Sequence, residues 1–171
     1  TNISSVNKND GTVTIKKADA SSSAPNVIVA SDNSAFTGSY KQQDGSEVTV
    51  TGKFFNGTNT IDNSKLTFEN GSSLNGNNIF SNASELVING GTNTSSDSKI
   101  VLNDTSSMSL NGADLTLNSQ ISGSAKINNN LTGTFTVTGD NSAFSGNYTQ
   151  TSSITVVDGG IFFGGTNTCL L

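Results

Sequence analysis

The apolar residues of this chain are confined to short clusters, and this limits the possible folds more than any other feature. Each cluster has three to five residues, contains β-branched or aromatic side chains, and often alternates with polar residues. Glycine, asparagine, aspartate or serine bounds the clusters, and helical spacing is not sustained beyond one turn. This pattern is typical of short β-strands joined by tight turns. The sequence therefore predicts an all-β fold with few or no helices, with clusters at residues 12–15, 27–29, 48–50, 53–55, 65–68, 86–88, 99–102, 108–110, 114–117, 135–138 and 154–157.

Strands this short each bury one or two side chains, so neighbouring strands have to share a core. Ordering the backbone costs about 1–2 kcal/mol per residue, which a single short strand cannot offset. A sandwich of hairpins or a solenoid of stacked coils would each supply a shared core. Five Asn-Gly and three Asp-Gly pairs fit both architectures, either as hairpin turns or as solenoid corners. Turn chemistry alone leaves the choice open.

A long internal repeat favours the solenoid. Residues 140–168 match residues 32–60 without a gap at 16 of 29 positions. A weaker repeat relates residues 91–94 to residues 57–60. The distance along the sequence between the two copies of the long repeat corresponds to about six coils of roughly 18 residues. The distance between the copies of the weaker repeat corresponds to two coils of roughly 17 residues. Coils of these lengths suit a parallel β-helix. The matched positions include Asp32, Phe36, Gly38 and Tyr40, which recur as Asp140, Phe144, Gly146 and Tyr148.

The second copy is incomplete, which a solenoid tolerates better than a sandwich does. It begins near residue 140 and continues for about 30 residues, and a solenoid can end between coils at modest cost. We therefore predict one parallel β-helix segment of roughly nine coils over residues 1–171, as a piece of a longer protein.

Composition excludes several function classes. Histidine and arginine are absent, so the chain has no Ser-His-Asp triad and no histidine-ligated metal. Cys169 is the lone cysteine, which excludes an internal disulfide and a thiolate zinc cluster. Eight scattered lysines in a chain of net charge −5 predict no nucleic-acid binding. The longest apolar run has four residues, far short of the roughly 20 needed for a membrane span. We predict no cofactor and no metal.

The acidic residues are better explained as turn formers than as catalysts. Paired carboxylates cleave glycosides in many enzymes. However, Asp32 and Asp140 occupy the same place in the two repeats, each followed by Asn and Ser, where aspartate caps a turn. We therefore predict no catalytic residues and no enzyme activity.

Threonines at alternate positions are the best candidates for a binding surface. Residues i and i+2 of a strand point to the same side of a sheet, so such pairs would present rows of methyl and hydroxyl groups. A solvated strand surface explains them equally well, because threonine is a good strand former. The candidate residues are Thr12, Thr14, Thr49, Thr51, Thr134 and Thr136. The large aromatic side chains, by contrast, are predicted to stack in the core.

The chain resembles the passenger region of bacterial type V autotransporters. The resemblance rests on short Val/Ile/Phe strands in a chain that is more than half Ser, Thr, Asn and Gly, and on the repeated phrase Asp-Asn-Ser-Ala-Phe-(Thr/Ser)-Gly at 32–38 and 140–146. It implies a right-handed parallel β-helix that is exported through the outer membrane and displayed at the cell surface.

The resemblance also implies a function in adhesion, aggregation or as a stalk. We expect an adhesin-type rod whose partner is a host-surface protein, a glycan or another rod, bound through many weak hydrogen bonds. A purely structural spacer and an ice-binding threonine-rich solenoid are the alternatives. Neither nucleic acid nor a membrane span is expected.

Overall fold

The computed structural model describes residues 1–4 and 10–170, and within these residues every regular element is a β-strand. The twenty strands are two to five residues long and are separated by corners. They are Asn2–Ile3 (β1), Thr12–Ile15 (β2), Asn26–Val29 (β3), Ser39–Gln42 (β4), Glu47–Val50 (β5), Thr58–Asp62 (β6), Lys65–Phe68 (β7), Ser73–Leu74 (β8), Asn77–Ser81 (β9), Glu85–Asn89 (β10), Asn93–Thr94 (β11), Lys99–Leu102 (β12), Ser107–Asn111 (β13), Leu115–Leu117 (β14), Gln120–Gly123 (β15), Lys126–Asn129 (β16), Thr134–Val137 (β17), Asn147–Gln150 (β18), Ile154–Val157 (β19) and Thr166–Cys169 (β20).

All paired strands are parallel, and the chain visits three sides of a solenoid in turn. One side is a nine-stranded sheet in the order β1-β3-β5-β7-β10-β13-β16-β18-β20. A second side is a six-stranded sheet in the order β15-β12-β9-β6-β4-β2. The third side consists of the pair β11-β8 and the three-stranded sheet β14-β17-β19. The predicted all-β solenoid of stacked parallel strands is confirmed, and the number of turns is close to the roughly nine predicted.

The turns are longer than the sequence repeat suggests. One inward position of the nine-stranded sheet recurs in register once per turn, and the spacing of its members shows that a typical turn takes about 20 residues. The predicted coil length is therefore too short. The corners differ in length, so the turn from Val50 to Phe68 takes 18 residues whereas the other turns take more. The members of this register column are Ile3, Val29, Val50, Phe68, Ile88, Leu110, Asn129, Gln150 and Cys169.

The core is a thin column of inward-facing side chains, one layer per turn. Strand burial alternates, as in β5, where Val48 and Val50 are buried while Glu47 is exposed. Alternation follows from the two-residue period of a strand, and stacking in register places each apolar side chain on the next. The core therefore runs along the solenoid axis rather than gathering at one centre.

Small polar side chains at the corners satisfy backbone groups that the sheets leave unpaired. Ser46 and Ser84 are buried, and their hydroxyls donate to the carbonyl oxygens of Gln43 and Ser81 at 2.7 and 2.6 Å. The Ser46 hydroxyl also lies 3.2 Å from that of Ser64 in the next turn. Buried polar groups have to be hydrogen-bonded, and these serines meet that need.

The two copies of the repeat have the same local structure. In each, an aspartate caps the turn, a phenylalanine follows it into the core, and a tyrosine hydroxyl donates to a glutamine Oε1. The Tyr40–Gln42 and Tyr148–Gln150 distances are 2.9 and 2.8 Å. Burial raises the pKa of both tyrosines. The sequence prediction that these aromatic residues lie in the core is confirmed.

The two copies nevertheless lie on different sides of the solenoid. β4 of the first copy belongs to the six-stranded sheet, whereas its counterpart β18 belongs to the nine-stranded sheet. The displacement between the copies is therefore five turns plus one side, not six whole turns.

The gap-free alignment also fails in the middle of the repeat. The side-chain amide of Gln42 donates to the Ser46 carbonyl at 3.0 Å, and that of Gln150 donates to the Ser153 carbonyl, so Ser153 takes the place of Ser46 one residue early. The strand that follows is displaced accordingly, and Val157 pairs with the buried Val137.

Candidate binding surface

The nine-stranded sheet presents the longest continuous surface of the described residues. We call its solvent-facing side the outer face. Its central row consists of side chains in mutual register on successive strands, which stand about 4.8 Å apart. Hydroxyl and amide residues make up seven of its nine members, and the other two are the exposed Ile28 and the buried Val87. The row runs Asn2, Ile28, Thr49, Thr67, Val87, Ser109, Asn128, Thr149 and Thr168.

A second row beside the central one carries alternating charges. Glu47, Lys65 and Glu85 are in register on three successive strands, and Lys126 lies two strands further along. The Lys65 Nζ lies 3.9 Å from the Glu85 Oε2, and both side chains are well exposed. An exposed pair of this kind contributes little stability. Its alternation does, however, disfavour strand registers that would place like charges side by side.

A third row, beyond the central one, is held by side-chain amides. The Asn89 amide donates to the Glu69 Oε2 at 3.1 Å, and the Asn130 amide donates to the Asn111 Oδ1 at 3.3 Å. Each of these contacts joins neighbouring turns. Amides and hydroxyls both donate and accept hydrogen bonds, so the outer face presents donors and acceptors that recur from strand to strand.

The predicted threonine pairs do not form one surface. Thr12 and Thr14 lie on β2 in the six-stranded sheet, and Thr134 and Thr136 lie on β17 in the three-stranded sheet. Thr49 is on the outer face, in β5. The pairs are separated because each turn distributes its strands over three sides, and their sequence spacings are not whole numbers of turns.

Thr51 and Gly52 show how the corner beyond β5 is built. The backbone N–H groups of Thr51 and Gly52 both donate to the Val29 carbonyl, at 3.0 and 3.1 Å. Thr51 therefore belongs to the corner that follows β5 rather than to the strand that carries Thr49.

The two repeated aspartates are turn formers in the structure. The Asp32 Oδ1 accepts hydrogen bonds from the Ser34 backbone N–H at 3.0 Å and from its hydroxyl at 2.5 Å. The Asp140 Oδ1 makes the same pair of bonds with Ser142, at 3.0 and 2.7 Å. Asp32 also forms an exposed ion pair with Lys53, N to O 3.5 Å.

These aspartates make the stability of the fold depend on acid pH. Hydrogen bonds from Ser34 and from Ser142 lower the pKa of Asp32 and of Asp140 below the ordinary value of 3.8. A lowered folded-state pKa gives stability that is present above the ordinary pKa and lost as the pH falls through the folded value. We expect the Tm to decrease as the pH drops below about 4. The double variant Asp32→Asn, Asp140→Asn should show a smaller decrease in Tm over the same pH range.

Thermal unfolding across the acid range tests this expectation. Asparagine can still accept the two hydrogen bonds of the turn, so the variant should fold. Asp158→Asn is the control, because its carboxylate accepts no hydrogen bond from the described residues. Equal acid slopes for the double variant and the unmodified chain would contradict the assignment.

A surface concavity of about 610 Å³ lies at a corner away from the outer face, and its lining includes Lys16, Lys17, Asp19 and Asp44. Hydrogen bonds from Ser21 and Ser22 lower the pKa of Asp19, which is thereby engaged in its own turn.

An apolar surface patch lies where the second repeat departs from the first. Because of the displaced register, Ile154, Val156 and Ile161 occupy outward positions that Glu47, Thr49 and Lys53 occupy in the first copy. They are 68%, 43% and 51% exposed. Outward apolar side chains of this size are uncommon elsewhere in the described part of the chain.

Fold and surface together define a polar, parallel β-solenoid repeat protein. Comparisons with protein-family models, with curated proteins and with solved structures give no match. Across residues 1–4 and 10–170, no helix is long and apolar enough to cross a membrane. In the same residues, no three acidic or cysteine side chains gather closely enough to hold a metal ion.

The rows beside the threonines were not predicted from the sequence. Lys65 and Glu85 are one turn apart, and so are Asn111 and Asn130. A search for polar residues that recur at one-turn spacing would have found both rows. The shorter coil predicted from the internal repeat hid them.

Proposed function

We propose that this chain is part of an adhesin-type rod that is displayed at a bacterial cell surface or secreted, and that binds through the outer face. The composition and the repeated phrase, which resemble those of autotransporter passengers, support export through the outer membrane. The observation that supports binding is the outer face itself, on which hydroxyl, amide and charged rows repeat from strand to strand. Each group forms a weak hydrogen bond, and affinity comes from their number. The partner is a glycan, a host-surface protein or another rod.

Binding by the outer face predicts which substitutions weaken attachment. The paired variant Thr67→Lys, Ser109→Lys places two long cations in the central row, two strands apart. The matched control Thr12→Lys, Thr58→Lys makes the same change two strands apart on the six-stranded sheet. We expect the first variant to reduce apparent affinity by about tenfold or more, because multivalent binding amplifies small local losses.

A glycan array probed with the folded chain, and clumping of cells that display it, measure this effect. The control should retain binding, and both variants should show the thermal stability of the unmodified chain. An unmodified chain that neither binds glycans nor promotes clumping would remove glycan binding and self-association as functions of the outer face. Equal losses in both variants would move the site away from the outer face.

Self-association is supported by the apolar patch at Ile154, Val156 and Ile161. Exposed apolar patches on soluble proteins often mark contacts with other proteins. The residues around this patch are nearly uncharged, with Asp158 the single charge between residues 141 and 170. Two copies meeting there would therefore not repel one another.

A structural stalk is the second candidate function, and the continuous core favours it. The inward column links every turn to the next, so the solenoid resists bending between turns. Ice binding is not proposed, because the threonine pairs lie on three different sheets.

A further inference from the structure

The five Asn-Gly pairs of the chain differ in how their reactive groups are held. Asparagine is chemically labile, and the labile step joins its side chain to the backbone nitrogen of the next residue. Glycine favours that step because it offers no side chain in the way. A hydrogen bond that occupies the glycine N–H or the asparagine amide opposes it, since the bond has to break first. The pairs are Asn56-Gly57, Asn70-Gly71, Asn75-Gly76, Asn89-Gly90 and Asn111-Gly112.

Two of the pairs are protected at the glycine nitrogen. The Gly71 N–H donates to the Gly91 carbonyl at 3.1 Å, and the Gly90 N–H donates to the Asn111 carbonyl at 2.7 Å. The side chain of Asn89 is held further by the hydrogen bond that its amide donates to the Glu69 carboxylate. In these pairs the glycine nitrogen, which would have to join the asparagine side chain, is held by a hydrogen bond between neighbouring turns.

Two further pairs are protected at the side chain. The Asn75 amide donates to the Phe54 carbonyl at 3.3 Å, and the Asn111 Oδ1 accepts from the Asn130 amide at 3.3 Å. Both asparagines are half-buried. Their amides are thus fixed to the neighbouring turn and cannot swing freely toward the following nitrogen.

Asn56-Gly57 lacks both forms of protection. Asn56 is exposed, and among the described residues neither its side-chain amide nor the Gly57 N–H has a hydrogen-bond partner. The Asn56 backbone itself is fixed, because its N–H donates to the Phe36 carbonyl at 2.8 Å. In the second repeat the same position is Gly164, which shows that this corner needs no asparagine.

We propose that Asn56 is a site of spontaneous modification, the one Asn-Gly pair of the folded protein that deamidates readily. The Gly57 nitrogen bonds to the Asn56 Cγ while the Cγ–Nδ2 bond breaks. The proton leaves the Gly57 nitrogen to water, and ammonia departs after taking up a proton. Water then opens the cyclic imide at one of its two carbonyls, which gives aspartate or isoaspartate.

The two products affect the solenoid differently. Aspartate changes an exposed amide into a carboxylate and leaves the chain path intact. Isoaspartate adds one carbon to the main chain between the Cα of residue 56 and the Gly57 nitrogen, so the corner becomes one atom longer. The Asn56 N–H and the Thr58 N–H both bond to the preceding turn, at 2.8 Å to the Phe36 carbonyl and at 3.1 Å to the Gly38 carbonyl. We expect the longer corner to weaken the Thr58 bond, because both bonds have to be kept across the added atom.

Peptide mass spectrometry of the folded chain after prolonged incubation at mildly alkaline pH tests the proposal. We expect the mass increase at Asn56 first, with the other four asparagines reacting at least about fivefold more slowly, the factor that one net hydrogen bond supplies. The variant Asn56→Gly should lose this early product and keep the Tm of the unmodified chain. The chain in denaturant is the reference, where all five pairs should react at similar rates.

Three results would overturn the proposal. One is equal rates at all five pairs in the folded chain. Another is an Asn56 that stays intact while a protected pair reacts. The third is an early product that persists in the Asn56→Gly variant. Hydrogen exchange at the Thr58 amide gives an independent readout, because protection there should fall in the isoaspartyl fraction and persist in the aspartyl fraction. This proposal does not depend on the proposed binding function.

Discussion

Replacing Gly57 with alanine is expected to destabilise the solenoid by about 3 kcal/mol. Gly57 lies at a corner where consecutive turns stack backbone on backbone. A Cβ on Gly57 would overlap the Gly38 carbonyl oxygen, and a Cβ on Gly38 would overlap that of Gly11. These obstructing atoms belong to the main chain and hold the next turn by a hydrogen bond, so they cannot move aside without breaking the ladder.

Gly11→Ala is the matched control, because it belongs to the same stack and has open space. Among residues 1–4 and 10–170, no atom lies within 4 Å of the position that a Cβ on Gly11 would occupy. Urea unfolding of both variants measures the difference in free energy of unfolding. If Gly57→Ala were as stable as Gly11→Ala, the close stacking of this corner would be wrong.

The second large effect is expected from Phe54→Ala, which should cost about 3–5 kcal/mol. Phe54 is fully buried, and its ring packs against Tyr40, Phe55 and Phe68 at centroid distances of 5.1, 5.1 and 5.4 Å. Removing it leaves a cavity in a core only one layer thick. Neighbouring turns are tied by their hydrogen bonds and cannot collapse to fill it.

The second repeat supplies the control for this effect. Phe162 occupies the position of Phe54 and contacts Tyr148 and Phe163 in a similar way, with centroid distances of 5.1 and 4.6 Å. Its side chain is half-buried rather than buried. Phe162→Ala should therefore cost clearly less, as measured by the same denaturant titration. Equal losses at the two positions would mean that burial does not govern these aromatic clusters.

The strand pattern and the stacking could be predicted from sequence because both are local properties. Clusters such as Lys65–Phe68 and Lys99–Leu102 alternate, are fenced by turn residues, and form strands in the structure. The repeat then favoured a solenoid because short strands need neighbours to share a core. Each step depended on a few consecutive residues.

The placement of residues around the axis could not be predicted in the same way. It depends on the lengths of the corners, so a corner that is one residue shorter displaces the strand that follows it. The register change before β19 illustrates the problem, because it turns Val156 outward although Val48, its partner in the gap-free alignment, is buried. The threonine pairs were separated for the same reason, while Thr49 reached the outer face.

The displaced repeat has a consequence for how such molecules lengthen. A duplicated stretch that re-enters the solenoid one side later shows that the unit of growth is a strand with its corner, not a complete revolution. Adding such units in multiples of three would extend the molecule and leave its angular phase unchanged. Any other number would also rotate every residue beyond the insertion about the solenoid axis. Duplication alone could then change which side of the solenoid meets a partner.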